Sequence, residues 1–411
     1  MKRKAGESMK YPIEVREAMA LLSANGAEAY IVGGCLRNML MGKQPHDWDM
    51  TTSALPCQTA ELFRSKGYSV IETGIKHGTV TVLINGLPIE ITTFRVDGEY
   101  SDSRHPDNVS FTPSLEEDLA RRDFTVNAMA YSEKSGLIDL YNGKKDLSDM
   151  LLRAVGDASK RFKEDALRIL RAFRFSAEHG FSIEENTKKA IIEGKEGLIN
   201  ISRERIYAEL FRALLGDYAE KAISALIECG LLPFIFAEYK DEATPVADII
   251  GKLPKNIGAR LAALIWPLGR EKSERALASL KMSNQDKKAV KNTLEAAVFL
   301  KNTPIRTEEE ARLFISRFPL NFSDSTLLAS LLGDCSKASQ MLIEKAAKSD
   351  FPKSVGELAI GGAEIISLGA NGRETGQVLS FLLERSILDP KLNNKNDLKK
   401  LALNYISERK K

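Results

Sequence analysis

The sequence predicts an α+β protein in which a small mixed β-sheet with helices fills the first third and an all-helical remainder follows. Two patterns carry this expectation. Runs rich in β-branched residues alternate with helical spacings up to about residue 94, and beyond about residue 150 apolar residues recur at three- and four-residue intervals. The composition supports a globular class. Of 411 residues, 43% are hydrophobic and 28% charged, and the 28 Gly and 14 Pro follow no period.

Ile13 to Leu22 has helical spacing and meets a stop at Gly26. Ala29 to Val32 is a short apolar strand running into Gly33-Gly34, with a short helix expected over Leu36 to Met41. Trp48 to Thr52, Tyr68 to Ile71, Thr79 to Ile84 and Ile89 to Phe94 are the further strands. Arg95 to Thr112 is polar, contains Gly and Pro, and reads as a long loop and as the flexible element of the chain. Leu115 to Ala130, Phe162 to Ala177, Ile206 to Leu215, Ala219 to Leu231 and Glu308 to Phe318 read as helices. A last helix carries Leu398, Leu401, Ala402, Tyr405 and Ile406 on one stripe. Breaks between helical subdomains are expected at Thr303 to Thr307 and Ser349 to Ser354.

Charge and cysteine content exclude several classes. The 59 Lys plus Arg against 56 Asp plus Glu leave +3, too little for a polybasic protein, so contact with nucleic acid must come from local patches. Cys35, Cys57, Cys229 and Cys335 form no CxxC pair, which suggests neither a zinc site nor a disulfide framework. The first 22 residues have a basic beginning but only a mixed apolar stretch interrupted by Glu14 and Glu17, unlike a signal peptide. No run approaches the ~20 apolar residues of a membrane helix. The expectation is a reduced, cytoplasmic protein with no membrane contact.

The strongest short signal is Gly33-Gly34-Cys35-Leu36-Arg37, followed ten residues later by Asp47-Trp48-Asp49. A lone Gly-Gly is usually a turn and a lone Asp-x-Asp a solvated strand end; the combination has a chemical logic. Side chains two apart on a strand share a face about 7 Å apart, while the intervening Trp48 turns toward the core. Two such carboxylates can share Mg2+ ions that activate an attacking hydroxyl and neutralise a leaving group at phosphorus. Glycine N–H groups and Arg37 suit phosphate oxygens, which together describe a nucleoside triphosphate site. Glu90, on a strand whose Ile89 and Ile91 face the other way, is a candidate third carboxylate of the metal cage. It reads equally well as a solubilising edge-strand charge.

A second cluster is Asp118 to Ala130, where Arg122 and Asn127 are polar residues on an apolar segment, suited to triphosphate and ribose hydroxyls. A third is Lys163 to Phe175, where Asp165, Arg168, Arg171 and Arg174 recur every third residue beside Leu167, Leu170 and Phe173. Seven Lys or Arg and three Asp or Glu lie between Arg153 and Arg174, so this segment alone exceeds the net charge of the whole chain. On spacing alone it is also an ordinary ion-paired amphipathic helix. Base chemistry favours more. Cytosine and adenine both present an amine donor beside a ring-nitrogen acceptor, which an Asp acceptor and an Arg donor satisfy, whereas uracil and guanine present the reverse.

GGCLR, DWD, KHGTVTV, RRDFTVNAMA, EDALRILRAFRF and the later ISRERI, in this order over about residues 28 to 210, closely resemble the bacterial class II tRNA nucleotidyltransferases. These CCA-adding enzymes share a superfamily with bacterial poly(A) polymerases. A weaker match at Glu357 to Gly362 extends the resemblance to most of the chain. The resemblance implies a nucleotidyltransferase head over residues 1–148, a helical neck with the base template over 149–207, a body over 208–300 and a tRNA-binding tail over 301–411. It places metal binding on Asp47 and Asp49 and the strand glutamate on Glu90. It assigns Gly34, with Gly33, Arg37 and Arg122 to the triphosphate, and Asp123 and Asn127 to the ribose neighbourhood. Asp165 and Arg168 become the template for the incoming base, with Arg171 and Arg174 lining the nucleotide site.

The implied activity is addition of C, C and A to the 3′ end of tRNA from CTP and ATP, by a monomer or homodimer. Alternatives are a poly(A) polymerase, an A-adding-only enzyme, or a non-catalytic RNA-binding protein on the same scaffold. The Arg95–Thr112 stretch corresponds to the family's flexible loop and argues against a CC-only enzyme. Only Arg409, Lys410 and Lys411 close the chain, unlike the basic extension of a poly(A) polymerase. Two departures stand out. Asn38 replaces the usual Asp after the motif arginine, with consequences for the orientation of Arg37, and Trp48 replaces a smaller aliphatic residue, with an expected effect on packing only.

Overall fold

A computed structural model describes residues 9–98, 109–239 and 247–409. The chain divides into two compact units, Met1–Ala243 and Thr244–Lys411.

In the first unit, helix α1 (Ile13–Ala24) precedes strand β1 (Ala29–Val32), helix α2 (Gly33–Leu40), β2 (Trp48–Thr52), α3 (Pro56–Ser65), β3 (Ser69–Ile71), β4 (Thr79–Ile84) and β5 (Leu87–Thr93). Two short strands, β6 (Arg95–Asp97) and β7 (Val109–Phe111), pair antiparallel with each other. After α4 (Leu115–Ala120), β8 (Ala130–Ser132) and β9 (Gly136–Ile138) complete one seven-stranded sheet, ordered β3-β4-β5-β2-β1-β8-β9. Only the β2–β5 pairing is parallel; the other neighbours are antiparallel, so the sheet is mixed as the sequence implies. Its buried face is made by alternation: Val80, Val82, Ile84, Ile89 and Ile91 are almost wholly covered, while Glu90 between the last two stays exposed. The parallel β2–β5 pairing sets Asp49 beside Glu90.

The unit continues through α5 (Gly143–Ser148), β10 (Leu151–Leu152), α6 (Ala158–Glu164), α7 (Leu167–His179), β11 (Ser182–Ile183), α8 (Glu185–Gly194), α9 (Arg203–Leu215), α10 (Ala219–Glu228) and α11 (Leu232–Ile235). Helices α7 and α9 pack along each other, burying Leu170, Phe173, Ile206 and Leu210.

Three sequence expectations change. The helix expected over Leu115–Ala130 ends at Ala120. Its continuation is claimed by other partners: Thr125 N–H donates to the Arg153 carbonyl, Val155 N–H to the Asp123 carbonyl, and Phe124 bridges Ala154. The helix expected over Phe162–Ala177 is two helices, because Asp165, the residue that ends α6, leaves the helical region (φ −142°), and its carboxylate accepts the N–H of Leu167, the first residue of α7. Asp165 therefore precedes the helix that carries Arg168, Arg171 and Arg174. The Arg95–Thr112 stretch begins and ends in paired strands, and its residues 99–108 lie outside the described residues.

The second unit is helical: α12 (Ala247–Ile250), α13 (Ile257–Ile265), α14 (Gly269–Ser279), α15 (Asn284–Asn302), α16 (Glu308–Arg317), α17 (Phe322–Leu331), α18 (Lys337–Ala347), α19 (Gly362–Ser367), α20 (Gly372–Leu388) and α21 (Lys395–Arg409). Helices α13, α15 and α17 pack together, and Leu358, Ile365, Val378, Leu382, Leu398 and Ala402 form a core around α20 and α21. The breaks expected at Thr303–Thr307 and Ser349–Ser354 fall between helices. The boundary expected after residue 207 falls inside α9, and that after 300 inside the last turn of α15. Among the described residues, no helix is long and apolar enough to cross a membrane.

Candidate active site

The site starts where β1 turns into α2. Gly33 takes a positive φ of 69°, which L side chains resist, and it leaves its α-carbon open to two neighbours. A β-carbon placed there would lie 3.4 Å from Arg122 Nη1 and 3.5 Å from Asp49 Oδ2. The glycine thus lets a carboxylate and a guanidinium close on the turn. The Cys35 thiol contacts the Val32 carbonyl at 3.0 Å and both backbone groups of Asp49 at 3.4 Å, fixing this turn to β2. Burial and the Asp49 charge push that thiol up to about 12, so it stays protonated and acts as a staple.

Asp47 lies just before β2 and is exposed, Trp48 is buried behind the strand, and Asp49 is half-buried. Cys35 holds Asp49 by its backbone and makes no claim on the carboxyl. That carboxyl is pushed up to about 6, by burial first and then by the neighbouring Glu90, with Asp47 adding to the effect while Arg122 and Arg37 oppose it. Crowded like charges of this kind suit a hard divalent cation. Among the described residues, no three or more His, Cys, Asp or Glu side chains form a ready-made metal cluster. Glu90 lies beside Asp49 across the β2–β5 pairing and bears on the site through its charge on the Asp49 carboxyl. Two aspartates remain a fitting donor set, since Mg2+ commonly takes one or two carboxylates together with waters and substrate phosphates.

Both aspartates open on a cavity of about 980 Å3, within the size of small-molecule sites. Gly33, Gly34, Arg37, Arg122, Asp123, Asn127, Asp165, Arg168, Arg171 and Arg174 line the same cavity; Glu90 does not. The sequence-predicted residues other than Glu90 thus share one space, although their partners differ from those the motif spacing suggests. Arg37 is buried and donates to Asn127 Oδ1 at 2.7 Å and to Asn38 Oδ1 at 3.1 Å. Asn38 thus orients Arg37 as a neutral acceptor.

Arg171 grips Asp123 through Nε at 2.8 Å and Nη2 at 2.6 Å. Burial alone would raise the Asp123 carboxyl, but Arg171, with an Asn127 hydrogen bond, outweighs it and holds the group well below the usual carboxylate range. Arg174 pairs with buried Glu209 at 3.0 Å and is pushed down to about 10, by burial first and then by Arg171. Asp165 and Arg168 do not pair with each other. Asp165 accepts from Arg205 at 2.9 Å, while Arg168 binds Glu164 at 2.9 Å and the Arg121 carbonyl at 3.1 Å.

Several contributors received no role from the sequence reading. Asp118, wholly buried, accepts from Thr51, Arg121, Arg122 and the Arg95 N–H, tying the second cluster to β2. Phe175 lies under three guanidiniums, those of Arg37, Arg171 and Arg174, at 5.0, 5.4 and 4.3 Å from its ring centre. Arg205 and Arg212 enter from α9. The sequence signal for Arg205 is its place one turn after Ser202, a helix-start residue, which aims it back along the preceding chain.

Among the described residues, Arg37 Nε, Arg122 Nε, Arg174 Nε, Arg205 Nη1 and both nitrogens of His179 are buried without a hydrogen-bond partner. Orphaned donors concentrated in one cavity are what a polyanionic ligand would satisfy.

A family model described as the poly A polymerase head domain matches residues 29–153, and one described as a probable RNA and SrmB-binding site of polymerase A matches residues 180–242. The CCA-adding enzyme of Leuconostoc mesenteroides is 34% identical over 402 residues, covering 96% of this chain and 97% of the relative. That of Geobacillus thermodenitrificans is 46% identical over 214 residues, about half of each chain. Among solved structures, the Bacillus stearothermophilus CCA-adding enzyme in complex with CTP superposes with a TM-score of 0.78 at 30% identity, covering 97% of this chain and 98% of that one. The Thermotoga maritima CCA-adding enzyme complexed with tRNA shares the fold, with a TM-score of 0.70 at 21% identity over 95% of this chain and 94% of that one. Similarity along nearly the whole of both chains, at this level of identity, places the chain in the CCA-adding enzyme family.

Proposed function

We propose that this protein adds C, C and A to the 3′ end of tRNA, using CTP and ATP and releasing pyrophosphate. The observation that carries the reading is the meeting of Asp47 and Asp49 with a cavity rich in arginine, in a chain that belongs to this family. The 3′-hydroxyl oxygen forms a bond to the α-phosphorus, the bond from that phosphorus to the α–β bridging oxygen breaks so that pyrophosphate leaves with that oxygen, and the hydroxyl proton passes to solvent. Asp47 and Asp49 would hold Mg2+, with Glu90 adding negative charge beside Asp49. Divalent metal bound there supplies charge neutralisation at the phosphates and lowers the hydroxyl pKa.

Gly33, Gly34, Arg37 and Arg122 hold the triphosphate, and Asp123 and Asn127 lie in the ribose neighbourhood, where Arg171 keeps Asp123 ionised. Asp165 and Arg168 present an acceptor and a donor to the base. Their opposite partners, Arg205 and Glu164, keep the two side chains apart as separate edges of a template. Arg171 and Arg174 line the space between. A wrong base leaves buried polar groups unpaired, the source of strong discrimination. The neck, body and tail divisions at 149–207, 208–300 and 301–411 describe how the helical remainder would hold tRNA, by shape and phosphate contacts. A cytoplasmic location follows from a tRNA substrate.

The test supplies tRNA transcripts ending at the discriminator base, at C or at CC, with each nucleotide alone and together. Three additions and no more support the reading. Long A tracts would indicate poly(A) synthesis, addition to CC ends only an A-adding enzyme, and tRNA binding without incorporation a non-catalytic protein.

A further inference from the structure

The cavity has a second end. Helix α7 carries Arg168 in its first turn and His179 as its last residue, about 16 Å away at ~1.5 Å of rise per residue. If the base is read beside Asp165 and Arg168, as proposed above, the phosphate tail extends past Arg171 and Arg174 toward the C-terminal end. The His179 side chain there is 10% exposed and lines the cavity. It packs against two rings: Phe175 is stacked at 6.3 Å and 18°, and Phe181 tilted at 5.6 Å.

Neither ring nitrogen has a hydrogen-bond partner among the described residues. A buried imidazole with both nitrogens unpaired is costly unless a ligand completes it. Its surroundings choose the ligand. Burial first, and then Arg37, Lys43, Arg174 and Arg212, push the imidazole down to about 3, so it is neutral at physiological pH. Glu178 is the nearby carboxylate, its Oε2 3.9 Å from Nε2, and it is already bound by Arg212 at 2.7 Å. The same cations that forbid a charged histidine attract phosphate oxygens, and a neutral imidazole keeps one N–H to donate to them.

We propose that His179 donates a hydrogen bond to the terminal phosphates of the bound nucleoside triphosphate and to the pyrophosphate left after transfer. It is a phosphate-positioning residue at the far end of the site from the base. The inference rests on the function proposed above, yet pyrophosphate binding is read without turnover, so the two fail separately.

The test uses full-length protein with His179→Leu, which keeps an apolar side chain against Phe175 and Phe181, and His179→Gln, which restores a donor. Steady-state incorporation gives kcat and KM for CTP and ATP, and inhibition by sodium pyrophosphate gives its inhibition constant. Ring C–H resonances of histidine-labelled wild-type protein are followed during a pyrophosphate titration, that of His179 being the one missing from His179→Leu or, should that variant not fold, from His179→Gln. The expected result is about a tenfold rise in both KM values and in the inhibition constant for His179→Leu, with base preference unchanged, partial recovery in His179→Gln, and a ring resonance shifted by pyrophosphate. Changes below twofold in folded His179→Leu overturn the proposal, as does a His179 resonance unmoved by saturating pyrophosphate. If wild-type protein extends no tRNA, the function proposed above falls while the titration still decides the role of His179.

Discussion

Replacing Asp118 by Ala tests how the second cluster is held to the sheet. Its carboxylate is wholly buried and accepts from the Thr51 hydroxyl at 3.2 Å, Arg121 at 2.7 and 3.0 Å, Arg122 at 3.1 Å and the Arg95 N–H at 3.4 Å. Removing one partner of a buried ion pair costs ~3–5 kcal/mol. The Arg121 and Arg122 side chains are 16% and 17% exposed and can recruit some water, which favours the lower end. Thr51 keeps a second acceptor, the Thr92 carbonyl at 3.1 Å, so its hydroxyl adds little. The expected loss is about 3 kcal/mol, a large fraction of a typical total of ~5–15 kcal/mol. Asp118→Asn, which keeps the shape and one acceptor, should lose about half as much.

Urea unfolding followed by Trp48 fluorescence in a Trp266→Phe background reads the unit that contains Asp118. Burial would raise the Asp118 carboxyl, but Arg122 and Arg121 hold it below its usual value of ~3.9. Its contribution is therefore fully present above the unfolded pKa and is lost as pH falls through the lower folded value. The gap between wild type and Asp118→Ala should be level at neutral pH and narrow in acid. A loss under about 1 kcal/mol, or a gap that widens in acid, would refute the reasoning.

Three further outcomes are expected at the site. Asp47→Ala and Asp49→Ala should each abolish incorporation of C and A while tRNA binding, measured by filter retention, stays nearly intact; retained incorporation would remove the metal assignment. Asp165→Ala and Arg168→Ala should let UTP or GTP compete in mixed-nucleotide assays. Arg205→Met should do so too, because Arg205 holds Asp165; an unchanged base preference in all three would return that region to a purely structural role. Chelation of divalent ions should stop incorporation and added Mg2+ restore it, whereas activity that survives exhaustive chelation would contradict the two-aspartate site.

Most of the head was legible because its signals are local. Runs of β-branched residues located β4 and β5, and Gly33-Gly34 before Leu36 marked the turn into α2. Asp47-Trp48-Asp49 carried its own geometry, with one large apolar side chain turning inward between two charges. The breaks at Asp165 and after Ala120 were hidden, since both segments have helical apolar spacing and are diverted by partners outside the segment. Thr125 and Phe124 pair with Arg153 and Ala154, and Asp165 is held by an arginine 40 residues later.

The sequence by itself determined the fold class, the first strands of the sheet and the residue types gathered at the site, because periodicity and short motifs act over a few residues. Only the tertiary structure decided which charge answers which. It joined Arg37 to Asn127 across 90 residues and Arg171 to Asp123 across 48, parted Asp165 from Arg168, and set His179 against two rings. Ion pairing and desolvation depend on distances in space, and no spacing along the chain sets those before the sheet and α7 are packed.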